Sequence, residues 1–103
     1  MTTLTLILIA VAVLATAADW RQTLRIFAPG SRWREINPAI NALVRRLGAP
    51  AGVHVWFVLV IIGVGLALAL LAPGPRLVAA ALAAACEVYW VAHNLRLGIP
   101  VIR

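Results

Sequence analysis

The segment VHVWFVLVIIGVGLALALLA, residues 53–72, decides the fold of this chain because it contains no Asp, Glu, Lys or Arg. An α-helix crosses the hydrocarbon core of a bilayer in about 20 residues, each adding about 1.5 Å. Two further apolar stretches, residues 3–18 and 77–95, have similar lengths. Lipid offers the backbone no hydrogen-bond partners, so each stretch is expected to form a helix. The sequence therefore predicts an all-α membrane protein with three transmembrane helices.

The composition indicates the same class of protein. The chain has 103 residues, 64% of them hydrophobic, and a mean hydropathy of +1.02. A soluble domain of this size needs more polar surface than this sequence supplies. We therefore expect residues 1–103 to form a single integral membrane domain. The net charge of +6 is expected to bind anionic lipid headgroups and not nucleic acid, because the basic residues flank hydrophobic spans.

The connection between the first two spans, residues 20–52, carries most of the positive charge. Six arginines in it are expected to face the headgroups: Arg21, Arg25, Arg32, Arg34, Arg45 and Arg46. Cytoplasmic loops are enriched in basic residues. The connection and the C-terminus are therefore predicted in the cytoplasm of a bacterium, with the N-terminus outside its inner membrane. The short turn predicted at residues 73–76 then also lies outside.

A short interfacial helix is predicted inside this connection. Asn37 and Pro38 are typical of an N-cap and a first helical position, and Gly48 and Pro50 end the element. The apolar stripe and basic C-terminal end of this helix fit a position on the membrane surface. They fit equally well a helix that packs on the spans, and the sequence leaves both alternatives open.

Small residues recur at a spacing of four in the second and third spans, as at Gly63–Ala67 and Ala80–Ala84. This spacing lets transmembrane helices approach closely. The turn between the two spans is short, so they are expected to be antiparallel neighbours. The pattern is equally typical of packing within one chain and of self-association.

Polar and aromatic residues concentrate at the predicted cytoplasmic boundary. Trp20, Trp56 and Trp90 are expected to act as interfacial anchors, and His93 lies at the depth of Trp56. Glu87 lies deeper in the third span, where a carboxylate costs roughly 2.5–3.5 kcal/mol. Such a residue indicates either a functional group or a structural one that pairs within the bundle.

No catalytic or cofactor motif accompanies these residues. His54 and His93 lack the additional ligands of a metal or haem site. The chain has no serine nucleophile with His and Asp partners, no phosphate-binding glycine loop and no zinc-protease motif. We therefore expect no catalytic residue, no metal, no cofactor and a non-enzymatic role.

Short polar motifs occur along the chain: Asp19 with Gln22 and Thr23, Glu35 with Asn37 and Pro38, a late Glu87, and Asn94 before Gly98 and Ile99. They resemble the motifs of small uncharacterised membrane proteins of bacteria and their phages. The resemblance implies that the polar members act together: Asp19, Gln22, Thr23, Glu35, Asn37, Glu87 and Asn94. It suggests that the Glu35 segment folds back onto the Asp19 end of the first helix. With His93, which lies at the same boundary, these residues form the predicted polar cluster.

The architecture is similar to that of class I phage holins, small three-span proteins that assemble in the inner membrane and permeabilise it. The connection between the first two spans is longer here, and the C-terminal tail is short. We predict a membrane protein that acts by self-association, as a homo-oligomer, or by holin-like permeabilisation. The alternatives are an accessory or adaptor subunit of a larger membrane complex, and a small transporter or proton-handling module centred on Glu87.

Overall fold

The computed structural model describes residues 1–101, which form four α-helices. They are α1 (Thr3–Ile26), α2 (Pro38–Leu47), α3 (Ala51–Leu70) and α4 (Pro73–Arg96). By length and composition, α1, α3 and α4 can each cross a membrane. The prediction of an all-α fold with three spans and a short helix after the first is confirmed. The fold is that of a small multi-pass membrane protein.

α1 continues to Ile26, whereas the sequence predicted an end of the span near Ala18. That prediction rested on Asp19, because a charged residue normally marks the membrane boundary. A charged side chain does not interrupt backbone hydrogen bonding, so the helix runs on until Pro29 and Gly30 follow. The polar residues after Ala18 therefore lie on the same continuous helix as the first span.

α4 begins at Pro73, so the prediction of a turn at residues 73–76 was wrong. Residues 71–72 alone connect α3 to α4. Proline fits the first turn because the first amide groups of a helix have no partner within it. Arg76 stabilises the junction, since its Nε and Nη2 donate to carbonyl oxygens of Leu68 and Leu71, both at 2.8 Å.

α4 packs mainly against α1, and α3 contacts both helices less extensively. Ala80 and Ala84 are 0% and 4% exposed, so the small-residue spacing of α4 serves close packing within the chain. A Cβ atom added to Gly63 or Gly65 of α3 would have no heavy atom of the described chain within 4 Å. The small residues Gly63 and Gly65 of α3 therefore make no close contact with α4, although the two spans are consecutive.

α2 packs against α3, as one of the two alternatives for this helix predicts. Ile40 is buried in one cluster with Val53 and Phe57 of α3. Gly52 lies directly on α2, because a Cβ there would come within 2.6 Å of the backbone carbon of Leu43. A glycine is therefore needed where the two helices cross.

Candidate functional site

A cavity of about 630 Å³ lies between α1, α3, α4 and the segment that precedes α2. Most of its wall is apolar and comes from the three spans. Asp19, Glu35 and Glu87 all line it, and they are the three acidic residues of the sequence. A chain with nine basic residues thus brings every carboxyl side chain to one place. This cavity is the candidate functional site.

Asp19 and Glu87, the carboxyl pair, lie at the centre of the site. Both side chains line the cavity, and they are close enough for their charges to interact. No hydrogen-bond donor among residues 1–101 reaches the buried Oε2 atom of Glu87. Two carboxylates this close repel each other strongly in surroundings of low dielectric constant. One shared proton or one bound cation would satisfy the pair.

Asp19 is held in place by side chains on α1 and α4. The hydroxyl of Thr23 donates to the main-chain oxygen of Asp19 at 2.8 Å and lies 3.4 Å from its Oδ1. The Nδ2 of Asn94 donates to the same Oδ1 at 3.5 Å. These donors are neutral, so they orient the carboxyl group without neutralising its charge.

Gln22 and Asn94 join α1 to α4 beside the cavity. Gln22 is 0% exposed, and its Nε2 donates to the carbonyl oxygens of Val91 and Ile99, both at 3.3 Å. Its Oε1 accepts a hydrogen bond from the Nδ2 of Asn94 at 3.3 Å. Both the nitrogen and the oxygen of the Gln22 amide therefore hold α1 against α4, the two helices that carry Asp19 and Glu87.

Glu35 and Asn37 reach the cavity from the segment before α2. The Oε1 of Glu35 accepts from the amide of Asn37 at 2.9 Å, and the side chain of Asn37 caps α2 by accepting from the amide of Ala39 at 2.9 Å. Burial raises the pKa of Glu35, the bond from Asn37 partly opposes this, and repulsion from Asp19 raises the pKa further. The structure thus places this segment beside the Asp19 end of α1.

Trp20, Trp56 and Trp90 line the same cavity. Trp20 stacks on Phe57 with ring centroids 5.4 Å apart, and its Nε1 donates to the Nδ1 of His54 at 3.0 Å. The tryptophans that the sequence assigned to membrane anchoring therefore form part of the wall of the site.

The two histidines have different surroundings. His93 lines the cavity within an aromatic group on α4, stacked on Tyr89 at 6.2 Å and edge-on to Trp90 at 5.7 Å. His54 is exposed and pairs with Trp20. In the described chain, no group of three or more His, Cys, Asp or Glu side chains is arranged to hold a metal ion.

The arginines of the connection are mostly exposed. Arg25 is half-buried, and the exposed members are Arg21, Arg32, Arg34, Arg45 and Arg46. Arg34 also lines the cavity, which sequence reasoning did not anticipate when it assigned all six to lipid headgroups. It places one cationic group on the wall beside Glu35.

Contacts made by the segment after α4 were also missed. The Nε1 of Trp33 donates to the carbonyl oxygen of Leu97 at 3.0 Å, and Ile99 is 1% exposed. Gly98, with a φ of +83°, lets the chain turn back here. A glycine just after a helix was the one local signal of this turn. Leu97 and Ile99 thereby line one end of the cavity.

Comparisons of this chain with protein-family models, with curated proteins and with solved structures found no match. What the site can do therefore follows from its own chemistry. It presents three carboxyl groups in a mostly apolar space within a membrane domain, and a buried oxygen of one of them lacks a partner in the described chain. Such a site suits a proton or a cation.

Proposed function

We propose that this protein is a small membrane module that handles protons and cations through the carboxyl pair. The observation that carries the proposal is the convergence of all three acidic residues on one cavity. Ionisable groups within membrane spans are costly and commonly mark ion or proton pathways. In this proposal Glu87 binds and releases the proton, because its buried Oε2 has no hydrogen-bond partner among residues 1–101.

The carboxyl pair alternates between two loaded states in this proposal. In the first, one proton lies between the two carboxyl groups and cancels one negative charge. In the second, that proton has left and a monovalent cation occupies the same position. The net charge of the pair is the same in both states, so proton and cation exchange one for one. Thr23 and Asn94 support this mechanism because they hold Asp19 by neutral donors.

Proton flux into lipid vesicles tests the proposal. Vesicles with a trapped pH-sensitive dye, an acidic interior and a monovalent cation in the outer solution, either K⁺ or tetraphenylphosphonium, receive wild type, Glu87→Gln or Tyr89→Phe, with the membrane potential clamped. We expect wild type to dissipate the pH gradient faster than protein-free vesicles do. Glu87→Gln should fall to the protein-free rate, because an amide of the same size cannot release a proton. Equal rates for wild type and Glu87→Gln would overturn the proposal.

Tyr89→Phe is the matched control for this experiment. Tyr89 lies two positions from Glu87 on the same helix but is 56% exposed. The substitution removes one polar group and retains the ring that stacks on His93. We expect the wild-type rate of proton flux for this variant.

Holin-like self-association is the competing proposal, and the same vesicles distinguish it. A lesion lets the trapped dye escape whether residue 87 is Glu or Gln. Dye release by both proteins, together with a graded homo-oligomer in mild detergent, would support permeabilisation in place of proton handling.

We further propose that the connection faces the cytoplasm and contacts anionic lipid headgroups in a bacterial inner membrane. The exposed arginines support this orientation, because basic residues beside spans are retained on the cytoplasmic side. Trypsin should cleave at these arginines in inverted membrane vesicles and spare them in right-side-out ones. An accessory-subunit role predicts instead that a second protein copurifies through the basic segment in stoichiometric amount.

A further inference from the structure

We propose that the cation bound in this cavity is a lipophilic organic cation, which carries a single positive charge on a large apolar body. The inference rests on the proposed function and names the ligand class of the same site. The cavity measures about 630 Å³, and sites for small organic molecules typically measure about 300–1,000 Å³. A proton or a bare metal ion would use a small part of this space.

The placement of the carboxyl groups disfavours a small inorganic ion. Ca²⁺ and Mg²⁺ take about six or more oxygen ligands. The described chain has no group of three or more His, Cys, Asp or Glu side chains arranged around one point. Asp19 and Glu87 instead provide a single anionic position in a wall that is mostly apolar. An ion with one charge and a large apolar surface matches that wall.

The remaining side chains of the wall agree with this ligand class. Trp20, Trp56 and Trp90 line the cavity, and the face of an indole ring attracts an organic cation electrostatically. His93, Arg34 and the thiol of Cys86 are the other titratable or charged groups of the described wall beside the three acids. Arg34 is exposed and belongs to the connection, so its charge is well hydrated and opposes binding at the carboxyl pair only weakly.

The α3 side of the cavity gives access from the bilayer. Ile61, Val64 and Gly65 line the cavity and are also exposed on the surface of the chain. They belong to a helix that is long and apolar enough to cross a membrane. A lipophilic cation partitions into the bilayer and can therefore reach the site without crossing the basic cytoplasmic face.

Equilibrium dialysis of the purified protein in nonionic detergent tests the ligand class. The probe is tetraphenylphosphonium, and tetraphenylborate serves as an anion of nearly the same shape. We expect tetraphenylphosphonium to bind wild type and Tyr89→Phe, and tetraphenylborate to bind neither. Glu87→Gln should weaken tetraphenylphosphonium binding at least about tenfold, since it removes the charge that faces the ligand.

Gly65→Phe and Gly63→Phe test the cavity without changing a carboxyl group. Both glycines have open space where a Cβ would lie, so both variants should fold. Gly65 lines the cavity, whereas Gly63 is not among the described residues of its wall. We expect Gly65→Phe to fill the cavity and remove tetraphenylphosphonium binding, and Gly63→Phe to preserve it.

Two results would overturn the inference: equal binding of both probes, or binding that survives Glu87→Gln and Gly65→Phe. The outcome is separable from that of the proposed function. Proton flux that depends on Glu87, without binding of tetraphenylphosphonium, means that the ligand class is wrong and proton handling stands. Binding without such flux means that the cavity is a cation site but the exchange with protons is wrong.

Discussion

Replacing Gln22 by Met tests whether one buried amide fixes α1 against α4. Gln22 is 0% exposed and forms hydrogen bonds to Val91, Ile99 and Asn94. Met has a similar length and volume, so the substitution creates neither a large void nor a clash. It removes the donor and the acceptor, and the loss of stability then measures the polar contacts alone.

The magnitude follows from the bonds that are lost. Three hydrogen bonds between membrane helices, at about 0.6 kcal/mol each, give a lower value of roughly 2 kcal/mol. The carbonyl oxygen of Ile99 is left without its side-chain donor in a buried position, and an unsatisfied buried group costs about 1–3 kcal/mol. We therefore expect the free energy of unfolding to fall by about 2–4 kcal/mol, a large share of a typical total of about 5–15 kcal/mol.

Reversible unfolding in mixed detergent micelles, followed by far-ultraviolet circular dichroism, measures this loss. Leu14→Met is the control, because Leu14 is 72% exposed on the same helix and its substitution should change stability by less than about 0.5 kcal/mol. Trypsin cleavage after the exposed Arg96 is a second readout, and it should become faster when the Ile99 carbonyl loses its donor. A loss below about 0.5 kcal/mol in Gln22→Met, with unchanged cleavage, would refute the reasoning.

Three further predictions concern the parts around the site. Gly52→Ala places a Cβ 2.6 Å from the backbone of Leu43, so thermal unfolding in detergent should show a loss of about 1–3 kcal/mol; an unchanged midpoint would contradict the close crossing of α2 and α3. The raised pKa of Glu35 means that the folded protein binds this proton more tightly than the unfolded chain, so the contribution of Glu35 to stability falls as pH rises above 4.5 towards the raised value. Wild type should therefore lose stability relative to Glu35→Gln between pH 4.5 and neutral pH, and parallel curves would argue against burial of the carboxyl group. Arg76→Met removes the guanidinium bonds to the last turn of α3 and should lower the free energy of unfolding by about 1–3 kcal/mol; a variant as stable as wild type would show that water replaces them.

Hydropathy was sufficient to predict the three spans, because a lipid environment leaves an apolar segment little choice except a helix. It was not sufficient to predict which spans pack together. Ala80 and Gly63 both belong to small residues spaced by four, yet Ala80 is buried and Gly63 is exposed. The spacing is a property of one helix, whereas burial depends on the surface of the helix opposite.

Part of the candidate site could also be predicted from the sequence. Glu87 was identifiable because a carboxyl group inside an apolar span is costly. Asp19 was mistaken for the end of its span because a charged residue normally marks the membrane boundary, and the donor from α4, Asn94, is brought to it only by the fold. The bond from Trp33 to Leu97 joins residues 64 positions apart, and no local pattern carries that information.

The pairing of α1 with α4 has a consequence for the order of assembly in the membrane. Gln22 and Val91 are 69 positions apart, and Asp19 and Asn94 are 75 positions apart. Contacts between such distant residues form late, and a growing chain delivers its N-terminal segments first. A nascent chain that has inserted α1 and α3 therefore holds Asp19 without Asn94 and without Glu87. The insertion of the last helix is the step that brings the parts of the candidate site together.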